Sequence, residues 1–205
     1  MESVCSKSSP DRFCDAAGLA LQALGKAPLN INLLPAEKAG LLGLLKKKKK
    51  ALTSAWGIDV GRAAIKAIRL STSADDERVV ADAVEYVEHT PFLNAPEADA
   101  QAVLCTTLDK LCERIDLRGA PVGLSLPAHK VLFRPVALPL VDEKKLPELM
   151  KYEVRQQIPF PIEHVIWGYQ KLAARTSEVA YLSECEVALL AIKVEEVQVA
   201  IAPFT

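Results

Sequence analysis

Apolar residues follow two periods along this chain, and the places where the period changes mark out its elements. Residues 16 to 24, Ala-Ala-Gly-Leu-Ala-Leu-Gln-Ala-Leu, have the alanine and leucine content of a helix; Gly25 closes it and Pro28 prevents continuation. Asn30-Ile31-Asn32-Leu33-Leu34-Pro35 then reads as an extended peptide, because a proline biases the residue before it away from helix. From Ala36 to Leu45 leucines recur beside glycines, and five consecutive lysines follow, Lys46 to Lys50. Their mutual repulsion disfavours compact packing, so the main boundary falls there.

Beyond that boundary strands and helices alternate. Ala55 to Val60 reads as a buried strand, Ile65 to Leu70 as its returning partner across a turn at Gly61, and Val79 to Val87 as a third strand. Residues 97 to 115 carry Ala98, Val103, Leu104, Leu108, Leu111 and Ile115 at helical spacing before Arg118-Gly119 stops the run, and Pro121 to Leu126 returns as a strand. A second unit has strands at Val131 to Leu138, Val165 to Gln170 and Glu186 to Ile192, the last leading into a final helix. Its first helix, Leu146 to Gln157, is amphipathic: Leu146, Leu149, Met150 and Val154 fall at i, i+3, i+4 and i+8. Pro147 fits only the first turn of that helix, and Ile158-Pro159-Phe160-Pro161 forces an extended exit.

With 205 residues, half of them apolar, the chain has material for one good-sized domain or two small ones. Its 25 basic and 26 acidic side chains nearly cancel, which argues against bulk disorder and against a polycationic nucleic-acid binder. No apolar stretch approaches the roughly 18 residues that span a bilayer, and residues 1 to 25 lack a basic region followed by a clean apolar run. The expected location is therefore the cytoplasm. Five cysteines, Cys5, Cys14, Cys105, Cys112 and Cys185, are odd in number and lack C-x-x-C spacing, and three histidines do not complete a zinc set. Cys105 and Cys112, seven apart on one helix face, are expected to be reduced core thiols. The lysine run reads either as a solvated linker or, beside Leu41, Leu42, Leu44 and Leu45, as a weak anchor to anionic lipid. Nucleic-acid binding ranks behind both, since no aromatic platform accompanies the lysines.

The sharpest local chemistry lies in Gly57-Ile58-Asp59-Val60-Gly61-Arg62-Ala63-Ala64-Ile65-Lys66, a strand entering a tight turn and leaving along a second strand. In such a hairpin Gly61 lets backbone amides approach phosphate oxygens, Asp59 orients a hydrated Mg²⁺ and Lys66 offsets phosphate charge. A buried strand followed by a glycine turn is also a common structural device, and spacing does not separate the two readings. Other candidates are weaker. Glu184 and Glu186 share one strand face without a histidine or metal partner, and Ser125 has no nucleophile elbow. His129 reads as a surface or loop histidine, and Trp167 and Tyr169 alternate with Val165 as core or groove wall.

Asp59, Gly61 and Lys66 resemble the first phosphate loop of the actin-like ATPase superfamily, in which Asp-x-Gly-Ser/Thr is followed by Lys seven positions after the Asp; Arg62 stands where that pattern has a hydroxyl. A closer match takes in Trp56 to Lys66, Leu124 to Pro127, Arg134 to Pro139, Tyr152 to Pro161, Trp167 to Gln170, Val187 to Lys193 and Ala202 to Phe204. Residues 53 to 205 thereby resemble the N-terminal half of the PilM family of type IV pilus assembly proteins, relatives of the cell-division protein FtsA. The resemblance implies an α/β, actin-like (ribonuclease H-like) first subdomain with an inserted small α/β subdomain, half of a two-lobed fold. Residues 1–36 are then an N-terminal helix and extended peptide, 37–51 a linker, 52–128 the actin-like subdomain, and 129–205 the inserted subdomain with its following helix. It implies ATP and Mg²⁺ as cofactors, with Asp59, Gly61, Arg62 and Lys66 at the nucleotide and Asp59 reaching the metal through water.

The resemblance also implies a partner, a PilN-like inner-membrane protein whose cytoplasmic tail carries an Ile-Asn-Leu-Leu-Pro signature. The chain contains that string itself, as Ile31, Asn32, Leu33, Leu34 and Pro35, and residues 16 to 35 also look like the end of a PilM-like unit. Ile31, Leu33 and Leu34 are the anchors of such a peptide, which otherwise reads as an ordinary hydrophobic strap. An actin-like site closes on nucleotide between two glycine-bearing loops, and here Gly168 is the sole glycine after Gly123 and no second Asp-x-Gly follows. The expectation is a cytoplasmic adaptor at the inner face of the inner membrane, with an incomplete nucleotide site, weak or absent ATP binding and no catalytic residues. Self-association and weak membrane contact through Lys46 to Lys50 accompany it. The alternative is an actin-like ATP-binding protein or ATPase of the division-protein or sugar-kinase type.

Overall fold

The computed structural model of the chain describes residues 10–28, 31–33, 53–72, 78–139, 144–172 and 184–204. The chain divides into two compact units. The first comprises residues 1–28, 46–125 and 203–205, and the second residues 29–45 and 126–202. Residues 37–51, the lysine run included, lie outside the described residues, as do Leu34 and Pro35.

The first unit is built on a four-stranded sheet in the order β3-β2-β1-β4. Strands β1 (Ser54–Val60), β2 (Ala64–Thr72) and β3 (Val79–Glu88) form an antiparallel meander, and β4 (Val122–Leu124) lies parallel to β1. Alternation along β1 sends successive side chains to opposite faces. Trp56 and Ile58 join Ile65, Ala67 and Val87 under Leu108 and Leu111 of α2 (Ala100–Cys112). Ala55, Ile68 and Leu70 meet Ala16 and Ala20 of α1 (Cys14–Ala23) on the other face. The helix sequence of residues 16 to 24 thus becomes a cover for the sheet. Its end is a Schellman motif: Gly25 has φ +73°, its N–H donates to the Gln22 carbonyl, and Lys26 N–H donates to Leu21 O at 2.9 Å.

Two glycines set how closely α1 sits. Gly57 and Gly123 are register partners on β1 and β4, on the α1 side. A Cβ on Gly57 would stand 1.8 Å from the Ala16 carbonyl oxygen, and one on Gly123 would stand 2.5 Å from Leu19 O. The helix backbone therefore lies directly on sheet backbone, a contact no other residue type permits.

Asp99 caps α2 by accepting from the N–H groups of Gln101 and Ala102. The buried stripe of that helix is Thr107, Leu108 and Leu111, and Cys105 and Cys112 are exposed. The expectation that these two are core thiols is thereby corrected: a spacing of seven puts both on one face, and that face is the one turned to solvent.

In the second unit a three-stranded antiparallel sheet has the order β5-β7-β6, from β5 (Leu132–Pro139), β6 (Val165–Lys171) and β7 (Glu184–Lys193). Helix α3 (Leu146–Gln157) lays Leu146, Met150 and Val154 against Val136, Leu138, Val165, Val187, Leu189 and Ala191 on one sheet face. This stripe is the one the i, i+3, i+4, i+8 pattern predicts, with Leu149 partly buried beside it. The edge strand β5 carries Pro135 and Pro139, which cannot donate to a neighbouring strand. Helix α4 (Val194–Ile201) follows β7, and Lys130 Nζ donates to Glu196 Oε1 at 2.9 Å.

Candidate functional site

The strand periodicity of β1 and β2 delivers Asp59 and Lys66 to facing positions at the hairpin end. Lys66 Nζ donates to Asp59 Oδ2 at 2.8 Å, with the two side chains only 22% and 14% exposed. The Gly61 N–H donates to Ala64 O at 3.0 Å, so the tip closes on itself. The Arg62 and Ala63 carbonyls accept from Leu93 N–H and His89 N–H, at 3.1 and 2.8 Å, while the Arg62 side chain is exposed. The Gly61 amide and one N–H of the Lys66 ammonium are thus engaged within the chain. Among the described residues no group of three or more His, Cys, Asp and Glu side chains is placed to hold a metal ion.

The Asp59–Lys66 pair is sheltered enough that its loss should register. Asp59→Ala leaves a poorly hydrated ammonium, and a loss of about 1 to 2 kcal/mol is expected by urea denaturation. The double variant Asp59→Ala/Lys66→Met should lose less than the two single losses added together, because the charges belong to one interaction.

Two residues at this site carry roles the sequence reading did not give them. Ser125, weighed only as a nucleophile, accepts the Val60 N–H on its Oγ at 2.9 Å and donates its own N–H to Ile58 O at 3.0 Å. It extends the β1–β4 pairing past the end of β4. His89 was not singled out at all. It is 3% exposed, its Nε2 lies 3.1 Å from the Gly61 carbonyl and its Nδ1 lies 2.9 Å from Thr107 Oγ1. A carbonyl only accepts, so Nε2 bears a hydrogen. Burial pushes the His89 pKa below its ordinary value, and the Gly61 hydrogen bond partly opposes that shift.

A second constellation lies in the other unit. Trp167 and Tyr169 stack with ring centroids 6.5 Å apart and flank the core on the α3 side, as core wall. Alternation places Gly168 on the opposite face, where it opposes Leu190, which in turn opposes Phe133. Over that glycine sits the chain's own N-terminal peptide. A Cβ on Gly168 would stand 3.4 Å from Ile31 Cγ2 and 3.9 Å from Leu33 Cδ2. Ile31 and Leu33 are half-buried and Asn32 between them is exposed, the alternation of an extended segment lying on a surface. In sequence this glycine enters the Trp167 to Gln170 match and the count of glycines after Gly123, and neither marks it as a seat for the peptide.

His129, a loop residue in sequence, is exposed in a short 3-10 turn, Ala128–Lys130. Phe160, offered between its two prolines, is 42% exposed and has the Lys193 ammonium 4.7 Å from its ring centroid. No helix among the described residues is long and apolar enough to cross a membrane.

The fold sets the class first: a mixed α/β protein of actin-like type, with the extent of about half of such a fold. The chain belongs to the PilM family of type IV pilus assembly proteins, whose family model matches residues 57–204. Among solved structures it is similar to a chain of a PilM-PilN type IV pilus biogenesis complex, at 24% identity and a TM-score of 0.51. That match covers 73% of this chain and 44% of the other, so the chain spans less than half the length of this structural relative. The cytoplasmic domain of EpsL, an inner membrane component of the type II secretion system of Vibrio cholerae, matches at 13% identity and a TM-score of 0.39, over 74% of this chain and 52% of that one.

Proposed function

We propose that the chain is an adaptor of type IV pilus assembly, working at the cytoplasmic face of the inner membrane. On this reading it docks an extended Ile-Asn-Leu-Leu-Pro-type tail of a PilN-like membrane partner on the sheet face that carries Gly168. The observation that carries the reading is the seating of Ile31 and Leu33 over Gly168, with alternate side chains turned toward the sheet. Extended peptides are held in this way by pockets for alternate residues, and a position without a Cβ leaves room for a branched side chain. The solved complex of PilM with PilN supports a partner of this kind. The nucleotide hairpin is, in the same proposal, a structural element with weak or no ATP binding, a reading supported by the Asp59–Lys66 pairing and by the closure of the Gly61 amide onto Ala64 O.

The test is fluorescence anisotropy of a labelled Asn-Ile-Asn-Leu-Leu-Pro peptide. It is titrated with full-length chain carrying Ile31→Asp and Leu33→Asp, so that the chain's own segment is disengaged. Saturable micromolar binding is expected, weakened at least about tenfold when Gly168→Val is added, because the valine methyl groups fill the space over position 168. Gly168→Ala is expected to bind nearly as well as glycine, since its Cβ makes only ordinary contact distances. No binding, or binding indifferent to Gly168→Val, would overturn the proposal.

A further inference from the structure

The docking face is not vacant in this chain: a segment of the same chain lies on it, with its own Ile-x-Leu pair over Gly168. We infer that residues 31–33 are an intramolecular competitor of the membrane partner's tail, so that the adaptor regulates its own docking face. The inference rests on the docking reading above and adds a self-occluded state to it.

Three observations support it. First, Ile31 and Leu33 both lie over Gly168, leaving no more than the space of a methyl group there: an added Cβ would stand 3.4 and 3.9 Å from their side chains. Second, the segment lies in the same compact unit as β6, and only Leu29 and Asn30 separate it from the described stretch that ends at Pro28. A segment held in the same unit as its site by covalent connection competes intramolecularly, with an effective concentration on the order of millimolar for a short tether. Third, Ile31 and Leu33 are only half-buried and Asn32 between them is exposed, so the segment leaves surface at which a longer tail can add contacts. A tethered segment held in this way can be displaced by a longer tail that adds contacts. The incoming tail meets a face that is open for only a fraction of the time, and its apparent affinity falls by that fraction.

The experiment compares full-length wild-type chain with the Ile31→Asp/Leu33→Asp and the milder Ile31→Ala/Leu33→Ala variants, using the same labelled hexapeptide. Circular dichroism and thermal melts verify that each is folded. The expected result is that both variants bind the peptide at least about tenfold more tightly than wild type, and that wild-type affinity is independent of protein concentration. Equal affinity of wild type and variants would overturn self-occlusion and leave the docking reading standing. Binding by none of the three would overturn the docking reading and this inference with it. Occlusion that fades as the protein is diluted would show that a second copy supplies the segment, which overturns the intramolecular form.

Discussion

Gly57→Ala is expected to destabilise the chain by about 3 kcal/mol or more, at the upper end of what a single added methyl does in a packed interior. The methyl has nowhere to go, since the obstruction is backbone on every side: Ala16 O at 1.8 Å, Ala16 C at 2.9 Å and Ala20 N at 2.6 Å. A flexible side chain would swing away, but here α1 must lift off the sheet as a body. Lifting it opens the contacts that Ala16, Ala20 and Leu24 make with Ala55, Ile68 and Leu70. For a chain of this size such a loss lowers Tm by roughly 6 to 12 °C. Gly123→Ala, at 2.5 Å from Leu19 O, acts on the same helix and should have a smaller effect of the same kind. The double variant is the decisive measurement. Once α1 has been displaced by the first methyl, the second meets an open gap, so the combined loss should fall clearly short of the sum. Additive losses, or a Gly57→Ala melt within a degree or two of wild type, would mean that α1 is not seated on these glycines.

The same glycines show where sequence reasoning reaches its limit. Local signals carry the elements well. The turn after Val60, the α3 stripe of Leu146, Met150 and Val154, and the stop at Gly25 each depend on residues a few positions apart, and each appears in the structure. What the sequence does not carry is which distant backbones meet. Gly57 and Gly123 look like ordinary strand glycines until a helix some 40 residues before one and 100 before the other is laid across both. Cys105 and Cys112 illustrate a different gap: periodicity groups residues by face, and only the neighbouring Leu108 and Leu111 say which face is inside. Ile31 to Leu33 was legible as an extended peptide from its flanking proline, while its seat over Gly168 lies more than 130 residues away along the chain. His89 gave no signal at all, because neither Thr107 nor Gly61 is near it in sequence.

Acid should unfold this chain in part through His89, and His89→Ala should cost about 2 to 3 kcal/mol at neutral pH. The imidazole is buried, and its Nε2–H is the hydrogen-bond donor to the Gly61 carbonyl, so alanine leaves both a cavity and a carbonyl without that partner. In the neutral ring Nδ1 accepts from the Thr107 hydroxyl, whose oxygen also lies 2.8 Å from Val103 O, the alternative acceptor for its single hydrogen. Protonation turns Nδ1 into a donor and sends the hydroxyl hydrogen back to Val103. The polar contacts survive that exchange, and what opposes it is desolvation of the charge. Because burial depresses the pKa in the folded chain, the unfolded chain binds the extra proton first. Stability is therefore fully present above the unfolded value near 6.5 and falls as pH drops below it toward the depressed folded value, with a slope of at most about 1.4 kcal/mol per pH unit. Asp82, whose carboxyl is held below its usual range mainly by the Arg69 hydrogen bond, contributes only in a lower window, near pH 4 and beneath. The two windows do not overlap above pH 5, so urea midpoints between pH 7.5 and pH 5 isolate the histidine. His89→Gln, whose amide can still donate to Gly61 O, should flatten that segment of the profile while restoring part of the stability that His89→Ala loses. A wild-type midpoint unchanged from pH 7.5 to pH 5, or the same slope in His89→Gln, would show that the hairpin tip is held without a neutral, buried imidazole.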